Sequence, residues 1–383
     1  MYNVLELFGG CGGLGYGFHK KGFNIICCNE LEKQIGESYK ENFPDTNVII
    51  GDITEEKIKT EIHKCFSEIN CDVILGGPPC VAYSMSGLRN SRDPRGQLFN
   101  DYVDMVNTLK PKMFVMENVK GILNMHHDKE NLNEEEKNLA DNYYILEKEK
   151  IEIDKIKNKT DQDKTRLVYL RKEMKKMSRN FDKFRIPVYQ KIIDKFNEIG
   201  YTVEKKLHNS ANFGVPQKRE RVIFIGKKNN LNLQIIFPTE THNEIGDILP
   251  KWISVREAID DLKDIDEDEN ISQIYTKHTN KFLEKIENTE IGKSVNKKYT
   301  EAFYRCYPDR PSPTVKENHG GVFIHYEKNR VMTPRELARL QSFPDDFIFK
   351  GSKSSILKQL GNAVPCGLSE AIAGSVLKSL SDM

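Results

Sequence analysis

The sequence predicts an α/β fold built on a doubly wound, mostly parallel sheet, and three observations carry that reading. Short apolar runs alternate with helical patterns up to about residue 124, the first run ends in a glycine-rich turn, and the strand pattern resumes at 222–226 after a charged interruption. The runs cover residues 4–8, 24–28, 47–50, 73–75 and 113–116 before that interruption. Helices between successive strands supply the long crossovers that parallel pairing requires.

The interruption, residues 126–185, is dense in Lys and Glu, with apolar residues at Leu132, Leu139, Leu146, Ile153 and Ile156, then Leu167, Leu170, Met174, Met177 and Phe181. Recurrence at three, four or seven suits helices, and the polar stretch 158–163 separates two of them, so an inserted antiparallel helical hairpin is expected, as a lid or an arm beside a ligand. A solvated charge run is the competing reading. Residues 227 to about 309 lose the α/β rhythm and pass from an acidic stretch (260–269) to a basic one, which marks a second domain; from Thr333 to Leu380 the pattern is again helical.

With 58 Lys+Arg against 57 Asp+Glu, overall charge offers no attraction for a polyanion, so any nucleic-acid surface must be a local patch. The eight cysteines form no C-x-x-C pair and no His spacing for a tetrahedral metal, so reduced thiols and no metal are expected. No basic n-region with a long apolar stretch opens the chain, and no run reaches membrane-spanning length. A cytoplasmic protein with no membrane partner is the reading.

Glycines 10, 12 and 15 match G-x-G-x-x-G where the first strand meets a helix, a turn that admits a cofactor to the backbone. Glu30 ends the second strand, where a carboxylate accepts bonds from ribose hydroxyls; Asp52 ends the third, suited to an adenine amino group, with Ile53 against the ring. Alone, the turn fits NAD, any adenosine-containing cofactor, or simple helix-on-strand packing. Further on, Gly76-Gly-Pro-Pro-Cys80 closes a buried strand: two prolines stiffen the backbone before a thiol, and small residues to Gly87 follow, able to move. A lone cysteine is most often an inert core residue, but its place beside a cofactor turn favours a nucleophile. The next strand ends in Glu117-Asn118-Val119, delivering a carboxyl group to the same sheet edge; either polar residue also suits a helix cap. Gln217-Lys-Arg219-Glu-Arg221 precedes a strand, so the two arginines face one way, as a site or as a salt-bridging edge.

Residues 4–18, 76–87, 117–119, 217–221 and 361–365 together resemble, in order, the motif set of the DNA cytosine-5 methyltransferases of bacterial restriction-modification systems. These are the F-x-G-x-G turn, the P-P-C loop, E-N-V, Q-x-R-x-R and G-N-A/S-V-P. The match is collinear and spans nearly the whole chain apart from the insertion and the variable stretch. It implies a Rossmann-like S-adenosylmethionine-dependent methyltransferase domain over residues 1–226, interrupted by the hairpin, a target-recognition domain over 227–330, and a return to the catalytic domain over 331–383. One departure is Glu6, where many members carry Asp, which implies an altered hydrogen bond at the methionine end of the cofactor.

The resemblance also implies roles. Cys80 attacks C6 of cytosine, Glu117 bonds N3 and the exocyclic amine, Arg221 contacts the base carbonyl, and Arg219 holds the Cys80 loop or a nearby phosphate. S-adenosylmethionine is expected against Phe8, Gly10, Gly12, Gly13, Leu14, Glu30, Asp52, Ile53, Pro78, Asn362 and Val364. Double-stranded DNA, its target base flipped out, is expected to meet Ser84, Ser86, Arg305, Lys316, Asn318, His319 and His325, with Arg310-Pro-Ser-Pro-Thr-Val315 in support. A monomer, with a cognate restriction endonuclease as genetic partner only, completes the expectation. A tRNA cytosine-5 methyltransferase shares the same motifs and stays open, although the roughly hundred-residue variable stretch between Gln217 and Arg310 favours a DNA reader. A dinucleotide-dependent oxidoreductase leaves Cys80, Glu117 and the arginine pair unexplained. A non-enzymatic DNA-binding relative leaves the intact nucleophile and acid unexplained, and an amino methyltransferase calls for a D/N-P-P-Y/F loop where this chain has Pro-Pro-Cys.

Overall fold

The computed structural model describes residues 1–79, 98–129, 132–156, 158–181, 185–295, 302–317 and 323–381. The chain forms two compact units: Met1–Pro78 with Asn100–Asn118 and Ile199–Met383, and Pro79–Phe99 with Val119–Glu198.

The first unit is organised by a seven-stranded sheet. In chain order its elements begin with β1 (Asn3–Leu7), α1 (Gly13–Lys20), β2 (Asn24–Glu30), α2 (Lys33–Asn42), β3 (Asn47–Ile50), α3 (Glu56–Cys65), β4 (Val73–Gly76), α4 (Leu98–Leu109) and β5 (Met113–Val119). The β1–β2, β1–β4, β2–β3 and β4–β5 pairs are parallel, so the C-terminal ends of these five strands share one edge. Val4, Leu5, Leu7, Val73, Ile74, Leu75 and residues 113–116 are buried, as strands covered on both faces must be.

The second unit contains β6 (His126–Asp128), α5 (Glu134–Lys155), α6 (Asp161–Phe181), β7 (Arg185–Pro187) and α7 (Val188–Glu198). The expected helix pair is present. Asn133 and Glu136 form a capping box at the start of α5, and Ala140, Leu167, Leu170 and Met174 are buried. Arg166 meets Glu149 through two parallel bonds of 2.6 and 2.8 Å. At the base, β6 and β7 pair antiparallel, so the insertion leaves and re-enters at one place.

Back in the first unit, β8 (Tyr201–Asn209) and β9 (Glu220–Lys228) pair antiparallel and complete the sheet order β3-β2-β1-β4-β5-β9-β8. The sequence reading passed over β8, because Thr202, Glu204, Lys205 and Lys206 interrupt its apolar run, as suits a strand at a sheet edge. The described residues of 229–333 include two short α-helices, α8 (Val255–Ile259) and α9 (Asn280–Glu287), and a small apolar cluster of Ile286, Ile324 and Val331. The chain closes with α10 (Pro334–Leu340), α11 (Lys353–Asn362) and α12 (Cys366–Ser381).

Helix α12 lies against α1 so tightly that a Cβ on Gly17 would come within 2.2 Å of the Glu370 backbone nitrogen. Glu370 in turn bridges Lys20 and Lys21 at 2.9 and 3.0 Å. The last helix thereby seats the C-terminal segment on the first crossover. Among the described residues no helix is long and apolar enough to cross a membrane.

Truncating the buried Leu170 to Ala is expected to cost about 2–5 kcal/mol of local stability. Amide exchange should then quicken across α5 and α6 while the β1–β4 amides keep their protection.

Candidate active site

The shared strand edge carries the cofactor turn. Phe8 takes φ 55° and Gly10 and Gly12 take φ 58° and 100°, a left-handed stretch that turns the backbone N–H groups away from the strand direction. Nothing lies within 4 Å of where a Gly10 Cβ would stand. Helix α1 opens at Gly12, which has no side chain to cap it, and of its first-turn amides Gly15 N–H is taken by Glu6 Oε1 at 3.0 Å. Glu30 borders it with Oε2 accepting from Gly10 N–H and Oε1 from Glu32 N–H, both at 2.9 Å; burial nonetheless raises its carboxyl above the ordinary range. Asp52 uses one oxygen to cap Thr54, at 2.9 Å to the backbone and 2.8 Å to the hydroxyl, while Ile53 is buried behind it. An open glycine cradle, a carboxylate after β2 and an Asp-Ile pair after β3 fit an adenosine-containing group.

The C-terminal segment reaches the same place. A Cβ on Gly13 would stand 2.4 Å from the Val364 carbonyl oxygen and 3.2 Å from the Ala363 methyl, so Gly13 is required for this approach. Leu14 is buried beneath, and its carbonyl accepts from the Ser369 hydroxyl. Asn362 is exposed and donates to Glu317 at 2.9 Å.

At the ends of β4 and β5, Glu117 meets Arg221 at 2.6 Å between Oε1 and Nε, both side chains 13% exposed. Burial lowers the Arg221 guanidinium from its ordinary value and the Glu117 charge opposes that shift. Glu117 Oε2 lies 3.0 Å from where a Gly77 Cβ would be, so Gly77 leaves room for the carboxylate beside the segment that leads into Pro78. Pro78 is buried, and its carbonyl accepts from the Asn118 amide at 3.3 Å. Asn118 thus anchors the loop start rather than capping a helix. Cys80, Ser84 and Ser86 lie outside the described residues, as do Asn318 and His319.

Burial overturns two expected DNA contacts, Arg305 and His325, and sets Arg219 inside the protein. Arg219, read as holding the Cys80 loop or a phosphate, is 1% exposed and gives its terminal nitrogens to the carbonyls of Val315 (2.8 Å) and Gly361 (2.9 Å). Gln217 completes this clamp, accepting from Val315 N–H at 3.0 Å and donating to Leu340 O at 3.2 Å and Gln341 Oε1 at 3.0 Å. Arg305, read as a DNA contact, is 5% exposed and donates to the carbonyls of Thr289 (2.7 Å), Ile286 (2.7 Å) and His325 (3.1 Å) and to Asn329 (2.9 Å). His325 is fully buried, its Nδ1 accepting from the Glu327 and Lys328 N–H groups at 3.1 Å. The two arginines satisfy carbonyls of loops and of the last turns of α9 and α11, and His325 satisfies loop N–H groups. Lys316 remains on the surface.

Comparison with known proteins decides what this edge belongs to. The family described as C-5 cytosine-specific DNA methylase matches residues 2–149 and 172–378. The chain belongs to that family. It is 32% identical to the Type II methyltransferase M1.HphI of Haemophilus parahaemolyticus over 98% of this chain and 86% of the relative. It is 30% identical to M.DdeI of Desulfomicrobium norvegicum over 97% and 87%. A prophage-encoded DNA modification methyltransferase of E. coli shares the fold, with a TM-score of 0.68 at 22% identity over the full length of both chains. The Spodoptera frugiperda DNMT2 structure does so at TM-score 0.55 and 18% identity, again over the full length of both. The chain is therefore a C-5 cytosine DNA methyltransferase of restriction-modification type. The internal stretch that the family does not match, 150–171, falls at the end of α5 and the start of α6.

A Gly13→Ala variant has to push Val364 away and should weaken methyl-donor binding about 10- to 100-fold, the equivalent of about 1–3 kcal/mol of overpacking, as read by calorimetry. Burial, reinforced by Arg330 and Lys328, pushes the His325 imidazole down to about 3 from 6.5. The unfolded chain thus binds the extra proton first, and stability rises with pH between these values and is lost as pH falls through them. Relative to His325→Gln, the wild type should lose on the order of 5 °C more in Tm between pH 6.5 and 4.5.

Proposed function

We propose that this chain transfers a methyl group from S-adenosylmethionine to C5 of a cytosine within a specific double-stranded DNA sequence, with Cys80 as transient covalent nucleophile. The observation that carries the reading is the Glu117–Arg221 pair, 2.6 Å apart, beside the Gly77-Pro78 segment that leads into Cys80.

Cytosine C5 is a weak nucleophile, so the work of the chain is to make it electron-rich. The Cys80 thiolate adds to C6, forming a carbon–sulfur bond and leaving C5 enamine-like. Glu117, oriented by Arg221 at Oε1, carries a proton on Oε2 that it donates to N3 as C6 is attacked, which stabilises the ring charge, while its carboxyl accepts from the exocyclic amine; the proton returns to Glu117 when the ring re-forms. Arg221 extends from the same pair toward the base carbonyl. Once C5 carries the methyl group, its proton passes to a base, the ring double bond re-forms, and the carbon–sulfur bond breaks to return Cys80.

S-adenosylmethionine, when bound, supplies an electrophilic methyl group on a sulfonium. The backbone of Phe8, Gly10, Gly12, Gly13 and Leu14 would hold it, with Glu30 on the ribose hydroxyls, Asp52 on the adenine amino group and Ile53 against the ring; Pro78, Asn362 and Val364 border the same space. Because C6 is hidden in a stacked duplex, the target base leaves the helix at a cost of a few kcal/mol. Residues 227–330 are assigned to sequence recognition, between a catalytic domain over 1–226 and its return over 331–383. Lys316, on the surface, and Ser84, Ser86, Asn318 and His319 are its proposed DNA contacts. The Type II naming of the relatives supports DNA rather than tRNA as substrate and is in keeping with a cognate endonuclease as genetic partner; a monomer acting in a bacterial cytoplasm completes the proposal.

Incubation with S-adenosylmethionine and duplex DNA carrying 5-fluorocytosine in varied contexts tests the route, because fluorine at C5 blocks the final elimination. Mass spectrometry should find a protein–DNA adduct on Cys80 that is absent in Cys80→Ser, and an adduct with fluorinated tRNA alone would move the substrate to RNA. Glu117→Gln should slow methylation about 10²- to 10⁴-fold while S-adenosylmethionine affinity, measured by calorimetry, stays within about threefold.

A further inference from the structure

Glu6 is the one departure in the cofactor turn, and the structure gives it surroundings that the mechanism does not use. The carboxyl lies at the end of β1, 1% exposed, beneath the glycines. Its Oε1 accepts from Gly15 N–H at 3.0 Å and its Oε2 from the Tyr39 hydroxyl at 2.5 Å. A Cβ on Gly15 would fall 2.2 Å from Glu6 Oε2 and 2.8 Å from the Tyr39 oxygen. The Tyr39 ring itself lies under the turn: a Cβ would approach it to 3.1 Å from Gly9 and 3.3 Å from Gly12. One carboxyl therefore sets the turn directly at Gly15 and, through Tyr39, at Gly9 and Gly12. At 1% exposure it acts on the turn from beneath, through its bonds to Gly15 and Tyr39.

We propose that Glu6 is a positioning residue for the methyl-donor site, fixing the path of the glycine turn through Gly15 and Tyr39 and coupling donor binding to a proton. The inference rests on the reading of Phe8–Leu14 and Glu30 as that site. Among the described residues the titratable groups facing Glu6 are Tyr39 on α2, Cys28 and Glu30 on β2, and Cys11 in the turn, none of them a cation. Burial without a counter-charge pushes the Glu6 carboxyl up to about 7, against the bonds from Tyr39 and Gly15 that pull it down. The group thus changes charge near neutral pH, and its ionised form holds both donors more strongly. S-adenosylmethionine carries a net positive charge and S-adenosylhomocysteine none, so the ionised carboxylate favours the former.

Calorimetric binding of both ligands to the full chain between pH 6 and 8 tests this. Wild-type affinity for S-adenosylmethionine should rise about three- to tenfold with pH, with a midpoint near 7, and affinity for S-adenosylhomocysteine should rise less. Glu6→Gln should flatten the rise, Glu6→Asp should restore a pH dependence at weaker affinity, and Tyr39→Phe, which removes one donor to the carboxylate, should move the midpoint upward. Stability offers a second readout: the folded value lies above the unfolded 4.5, so stability falls as pH rises from there through about 7, and Glu6→Gln should lose that fall. The same pH dependence in wild type and Glu6→Gln, or, should Glu6→Gln not fold, an unmoved midpoint in Tyr39→Phe, would overturn the proposal. Wild type that binds neither ligand would overturn the underlying assignment of the site instead.

Discussion

A buried guanidinium ties together parts of the chain that are far apart in sequence. Arg219 gives its terminal nitrogens to carbonyls 96 and 142 residues away, and Gln217 beside it reaches residues 98, 123 and 124 positions on. Where the segments cross, a Cβ on Gly361 would come within 2.0 Å of the Glu317 nitrogen, so the join is backbone against backbone with glycine as the only tolerable residue. From Gly361 the chain runs into Ala363 and Val364, which close on Gly13. Irregular backbone carries carbonyls that a sheet or helix would have satisfied, and a buried arginine with five donors is the side chain best able to serve several of them at once.

The same solution recurs at Arg305 and His325, and it explains what the sequence left illegible. A basic residue in a variable region reads locally as a contact for a polyanion; Arg305 instead turns inward to partners 16 to 24 residues away, which no local pattern records, and His325 is buried over the N–H groups of Glu327 and Lys328. The strands with two covered faces were legible, because burial on both sides writes a continuous apolar run. Strand β8 was not, since its exposed half reads as polar linker. The strand-end positions of Glu30, Asp52 and Glu117 were legible from parallel order alone, whereas Arg221, at the start of the antiparallel β9, stood out only by its spacing from Arg219 and by the family resemblance. Tyr39 was not legible, because an aromatic residue in an amphipathic helix reads as ordinary core. Its oxygen, bonded to a carboxyl fully out of water, is what makes it more than that.

Charge at the strand edge is arranged in two different ways. Glu117 has Arg221 as direct partner, so its carboxylate is held in place by an opposite charge and directed by it. Among the described residues Glu6 and Glu30 are bonded by backbone amides and a phenol and by no cation, Lys358 attracting Glu30 only at longer range, and burial raises both. A site built to receive a cationic ligand gains from this asymmetry: the paired carboxylate is committed to geometry, whereas the unpaired ones leave negative potential for an incoming positive group.

The antiparallel pair of β6 and β7 has a consequence for engineering. Because His126 pairs with Pro187 and Asp128 with Arg185, the ends of the excursion are pinned side by side whatever lies between them. The entropic cost of a longer connection grows only with the logarithm of its length. The junction between α5 and α6, within the stretch that the family does not share, is therefore a natural splice point for a guest module. A sensor or an affinity handle placed there leaves the strand pair, and the chain on either side of it, with the same two ends to join.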